Sequence, residues 1–101
     1  MDSSKKTISV MYSDEKLRIL VEEYITMQKS EFTFKSLCSY VLYRAMEEEK
    51  TASTGLYESN QLSSADCERI SSILRKIVKE GRLTCGTDTF ADDTQFVKIK
   101  E

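Results

Sequence analysis

The sequence predicts an α+β domain of three helices with short strands and a closing β-hairpin. Three observations point there. Residues 62–81 (LSSADCERISSILRKIVKEG) carry an apolar helical stripe between a serine start and a glycine stop. Two segments, 7–12 and 95–100, alternate apolar and polar residues, as half-buried strands do. At 101 residues the chain supports one modest core.

Taken in order, residues 1–6 are polar and expected to be loose. Thr7–Tyr12 (TISVMY) sets Ile8, Val10 and Tyr12 against Ser9 and Met11, a short strand. Ser13 is placed to cap a helix running from Asp14 to about Lys29. Its inward stripe is Leu17, Leu20, Val21, Tyr24 and Gln28, with Ile25 at the edge. Phe32 and Phe34 flank Thr33 in a short extended piece. A second helix spans about 35–49, with Phe34, Leu37, Cys38, Val41, Leu42, Ala45 and Met46 on its apolar face. Glu47, Glu48 and Glu49 oppose the helix dipole at its end. Residues 51–61 (TASTGLYESNQ) read as a loop, with Leu56 and Tyr57 able to pin its middle to the core.

The third helix is the most strongly marked. Ser63 or Ser64 can cap it, and Asp66 and Glu68 suit the positive end of its dipole. Cys67, Ile70, Ile73, Leu74, Ile77 and Val78 form one face, while Arg69, Ser72, Arg75, Lys76 and Lys79 project from the rest. Gly81 suits the left-handed position past the helix end. Residues 82–85, a turn over 86–94, and 95–100 then make a hairpin. Val97 and Ile99 are expected on one face of its second strand, with Phe96, Lys98 and Lys100 on the other. The whole of 1–101 is read as one domain.

Composition narrows the function. The chain has no histidine, no metal-ligand cluster, no phosphate loop and no dinucleotide fingerprint, so neither an enzyme nor a cofactor site is expected. Net charge is -2, but residues 62–83 hold five cations against three acids, a local +2. The three cysteines form no CxxC pair. Cys38 and Cys67 fall on apolar stripes and are read as buried reduced thiols, which fits a cytoplasmic protein. No apolar run approaches the ~20 residues of a membrane span, and MDSSKKTISV lacks a signal-peptide core.

From Asp14 onward the order of elements resembles a winged helix-turn-helix domain. The resemblance rests on Glu68–Leu83 (ERISSILRKIVKEGRL), with Ile70, Leu74 and Ile77 at the inward positions of the family's third helix. Gly81 and Leu83 match its turn into the wing. Phe34-Lys35-Ser36-Leu37 is similar to the start of the family's second helix. It implies a transcriptional regulator that places helix 63–80 in the major groove of double-stranded DNA and lays the wing (82–100) along the backbone. Arg69, Ser72 and Lys76 match base-edge positions, while Arg75, Lys79, Arg82, Lys98 and Lys100 match phosphate contacts.

Two departures keep other readings open. The linker between the second and third helices is about ten residues longer than the tight turn of a helix-turn-helix. The wing tip carries Asp88, Asp92 and Asp93, which repel phosphate. A winged helix that binds a protein partner or forms a homodimer, with Tyr40, Tyr43 and Phe96 exposed, is one alternative. Thr7–Glu49 also resembles a ribbon-helix-helix unit, in which Ser9, Met11 and Ser13 would face DNA.

Overall fold

The computed structural model describes residues 5–52, 59–87 and 89–99. Their chain order is β1 (Lys5–Val10), α1 (Asp14–Met27), β2 (Glu31–Thr33), α2 (Phe34–Glu47), β3 (Thr51–Ala52), β4 (Ser59–Leu62), α3 (Ser64–Lys79), β5 (Leu83–Cys85) and β6 (Gln95–Lys98). The architecture is α+β, with three helices and two small sheets among the described residues.

Each helix starts where a local oxygen meets free backbone N–H groups. The Ser13 hydroxyl accepts from Lys16 N at 3.2 Å. Thr33 accepts from Ser36 N while the Ser36 hydroxyl accepts from Thr33 N, a reciprocal capping box with serine in the usual Glu/Gln place. Ser63 accepts from Asp66 N. Gly81 takes φ +84°, and its N–H reaches Val78 O, so the left-handed turn after α3 is where the sequence places it.

The inward stripes meet in one core. Leu17, Leu20 and Val21 of α1, Leu37, Val41 and Ala45 of α2, and Ile70, Leu74 and Ile77 of α3 are fully buried, and α1 packs on both other helices. Gln28 lies at the C-cap of α1 and Met46 is exposed, so both leave the stripes expected of them.

The antiparallel sheet runs in the order β2-β6-β5. Phe96 faces Phe32 across one pair and Cys85 across the other. Here the sequence expectation is reversed. Phe96 is 0% exposed, whereas Val97 and Ile99 are 38% and 44% exposed. The alternation is real, but the strand turns its largest side chain to the core. Phe96 stacks on Phe32 at 5.5 Å and meets the Phe90 edge at 4.9 Å. An aromatic ring buries more apolar area than a single aliphatic of the other face and gains ring–ring contact besides.

The second sheet has the order β3-β1-β4. β1 pairs parallel with β4, from Lys5↔Ser59 to Ile8↔Leu62, and antiparallel with β3 at Ser9↔Ala52 and Val10↔Thr51. The expected loop over 51–61 is thus corrected at both ends, where 51–52 and 59–62 are strands. β1 also begins at Lys5, inside the segment expected to be loose, and ends two residues short of Tyr12. Its partners lie more than 40 residues on, so no local pattern announces them. Leu56 and Tyr57 lie outside the described residues. Among the described residues no helix is long and apolar enough to cross a membrane.

Candidate nucleic-acid interface

The pose of α3 is set at its N-terminus, where β1 ends. Ser63 N donates to Ile8 O at 2.9 Å, extending the β1–β4 ladder to the start of the helix. Asp66, in the first turn, is 3% exposed. Its Oδ2 accepts from Val10 N at 2.8 Å and from the Ser63 hydroxyl at 2.8 Å. Its Oδ1 accepts from Arg69 Nη1 at 2.9 Å. One carboxylate therefore ties α3, the serine cap and β1 together.

Arg69 completes this latch. Its Nε donates to Asp14 Oδ1 at 2.9 Å, and its Nη2 donates to Tyr12 O. Two of its nitrogens thus reach the start of α1 and the residue beyond β1, while Nη1 holds Asp66 of its own helix. A guanidinium held this way spans elements 55 residues apart and does not project as a reader of base edges. Its expected place at a base edge came from the winged-helix resemblance, which does not register a carboxylate so distant in the chain.

Arg82 and Lys98 are similarly occupied. Arg82 grips both oxygens of Glu22, with Nη1 to Oε2 at 2.6 Å. That guanidinium, opposed by partial burial and assisted by Arg18, holds the Glu22 carboxyl below the usual glutamate range. Lys98 Nζ donates to Gln28 O at 2.8 Å. The ammonium thus sits at the C-terminus of α1, whose last turn contains no basic residue, and the helix dipole favours it there. Lys100 lies outside the described residues.

The structure brings together Ser72, Arg75, Lys76 and Lys79. At spacings of three and four they share one exposed face of α3. Arg75 lies over the Phe90 ring at 5.0 Å, which stretches its guanidinium toward the loop between β5 and β6. Beneath it a groove of 330 Å³ runs between α3 and that loop, with Val78, Cys85 and Thr87 on its walls and Lys76 and Lys79 at its rim.

A second groove of 550 Å³ continues the same side of the molecule, between the N-terminal halves of α2 and α3. Lys35, Ser39 and Ser71 line it, and none of them was singled out as a contact from sequence. Lys35 stood in the Phe34–Leu37 resemblance as a helix start. A cation in the first turn of α2 was the available signal. The loop after β5 also folds back here. Phe34 N donates to Thr94 O and Lys35 N to Asp92 O, both near 3.0 Å. The first free N–H groups of α2 are thereby satisfied by the loop backbone. Asp92 and Asp93 are exposed, and Asp88 lies outside the described residues.

Electrostatically, the C-terminal half of α3 is the cationic part of this surface. Glu68 is the acid toward its N-terminal half, and Glu80 at its C-cap is drawn to Arg18 at 3.1 Å. Glu68 and Asp92 also line the α2–α3 groove beside Lys35. No group of three metal-ligating side chains occurs among the described residues. No protein-family model, curated protein or solved structure matches the chain.

Proposed function

We propose that this is a winged-helix DNA-binding domain of a cytoplasmic transcriptional regulator, with α3 as the helix that enters the major groove. The observation that carries the reading is the single exposed face of Ser72, Arg75, Lys76 and Lys79. The β2-β6-β5 order supports it, because a strand between the first two helices joined to a hairpin after the third is the arrangement the resemblance implies. In this reading Ser72 and Lys76 address base edges, Arg75 and Lys79 address phosphates, and Lys35 adds a contact from α2. Arg69, Arg82 and Lys98 hold the scaffold. The β1 strand has both its neighbours in the same chain, so a ribbon shared between two chains gains no support.

Fluorescence polarisation with mixed-sequence duplex DNA tests the reading. Binding should weaken steeply between about 50 and 200 mM salt; each of Arg75→Ala and Lys79→Ala should flatten the log–log salt slope by about one, while Lys76→Ala should narrow the difference in affinity between duplexes of different sequence. A folded protein that shows no binding at about 50 mM salt, or a slope that the triple variant leaves unchanged, overturns it.

A second reading, a protein-facing domain or homodimer, has its own observation. Ile19 and Met27 on α1 and Tyr43 and Met46 on α2 are large apolar side chains left 45–60% exposed. Light scattering on the purified chain over a concentration series separates a dimer from a monomer.

A further inference from the structure

Elsewhere on the described surface, the cations of a groove stand beside protein oxygens. Arg18 shares a groove along α1 with Glu22 and Glu23, and bonds Glu22 at 3.0 Å. Lys35 shares the α2–α3 groove with Glu68 and Asp92. Arg82 and Lys98, in a small groove by Ile25, are held by Glu22 and by Gln28 O. The 330 Å³ groove between α3 and the loop after β5 differs. Arg75, Lys76 and Lys79 line it, and none of its described lining residues is an acid. Lys76 and Lys79 are exposed.

Below these cations the groove is apolar, with Val78, Cys85 and the Phe90 ring as its floor. Phe90 is fixed by Phe34 and Phe96, with ring centroids at 6.0 Å and 4.9 Å. Cys85 is fixed by β5, where it faces Phe96 on β6, and Val78 packs against the core from α3. The floor is therefore preformed, and a ligand entering it requires little ordering of the protein. Arg75 already stands over the Phe90 ring at 5.0 Å, so that face is taken and an aliphatic body fits better than an aromatic one. At about 30 Å³ for a group the size of water, 330 Å³ holds roughly eleven such groups.

We propose that this groove binds a small aliphatic carboxylate of about eight carbons, its chain on Val78, Cys85 and Phe90 and its carboxylate at Lys76 and Lys79. The two halves of the site act together. The chain gains by leaving water for an apolar floor. The carboxylate, an acceptor on both oxygens, meets two ammonium groups three residues apart on one helix. A neutral alcohol of the same length has only the first contribution, and acetate has only the second. A DNA duplex held by α3 would use the same two lysines, so acid and duplex would exclude one another. The inference itself rests on the groove, and its experiment contains no DNA, so its failure is seen apart from that of the DNA-binding reading.

The experiment titrates the full chain with octanoate, 1-octanol and acetate, followed by amide NMR. Octanoate should half-saturate at about 1 mM or below and shift the amides of Val78, Cys85 and Phe90; 1-octanol should bind about tenfold more weakly, and acetate should not saturate in that range. Lys76→Gln combined with Lys79→Gln changes two exposed side chains. It should weaken octanoate about tenfold and leave 1-octanol unchanged. In the unsubstituted chain, octanoate should also slow alkylation of Cys85 severalfold, but not of Cys38 or Cys67, which line the other groove. The proposal is overturned by the absence of saturable shifts up to about 10 mM octanoate, or by shifts centred on Ile19 and Met27 of α1 instead. It is equally overturned if 1-octanol or acetate binds as tightly as octanoate, if the double variant binds octanoate like the parent, or if Cys85 gains no more protection than the other two thiols.

Discussion

Replacing Asp66 by alanine should be the most costly single polar change in this domain. The carboxylate is buried and accepts from Val10 N, the Ser63 hydroxyl and Arg69 Nη1. Alanine strands the Val10 N–H at the end of β1, a loss of about 1–3 kcal/mol for a buried donor. Losing the charge-assisted bond to Arg69 adds about 1.5–3 kcal/mol. The Ser63 hydroxyl can rotate, and the cost of burying a carboxylate disappears, so the net falls near 3 kcal/mol. That is a large share of the roughly 5–15 kcal/mol that holds such a domain folded. Urea unfolding reads it directly: with m of about 1–2 kcal/mol/M, the midpoint should drop by about 2 M. Amide exchange at Val10 should accelerate before global unfolding. Asp66→Asn keeps an acceptor for Val10 N and should lose about half as much. A parent-like midpoint for Asp66→Ala, within about 0.5 kcal/mol, would refute the claim that this carboxylate latches α3 to β1.

Arg69→Ala should lower stability by about 1–2 kcal/mol yet leave the DNA salt slope of the folded protein unchanged, since its partners are Asp14, Asp66 and Tyr12; paired denaturation and polarisation measurements separate the two effects. Glu22 has its folded-state pKa depressed chiefly by Arg82, so its contribution is present above the ordinary glutamate range and lost as pH falls below it. The stability gap between the parent and Glu22→Gln should therefore be constant from about pH 6 to 8 and close below about pH 4.5, as acid-titrated urea midpoints would show. Gly81→Ala meets no atom within 4 Å of the added Cβ but must hold φ +84°. It should cost about 1 kcal/mol from backbone strain alone, visible as a fall in Tm with an unchanged spectrum.

Local chemistry made the helices legible. Ser13 and Ser63 cap through bonds to a backbone only three residues away, and Gly81 ends α3 through its own φ. The same holds for the inward stripe of α3, where Ile70, Ile73, Leu74 and Ile77 are all buried. The strands were only partly legible. β3 and β4 fall in a polar stretch, TASTGLYESNQ, and exist because β1 offers them backbone partners. The face of β6 was read wrongly because Phe96 against Val97 and Ile99 is an ambiguous alternation. Phe32 and Phe90, from other parts of the chain, resolve it.

The candidate surface divides along the same line. The sequence by itself determined which residues α3 turns outward, because a period of 3.6 leaves Ser72, Arg75, Lys76 and Lys79 no other place. Only the tertiary structure decided which cations are drawn into the scaffold. Arg69 finds Asp14, Arg82 finds Glu22, and Lys98 finds the end of α1, each across 55 to 70 residues of chain. Helical period and capping act within a turn or two of the chain. Ion pairs act through space, so folding alone assigns their partners.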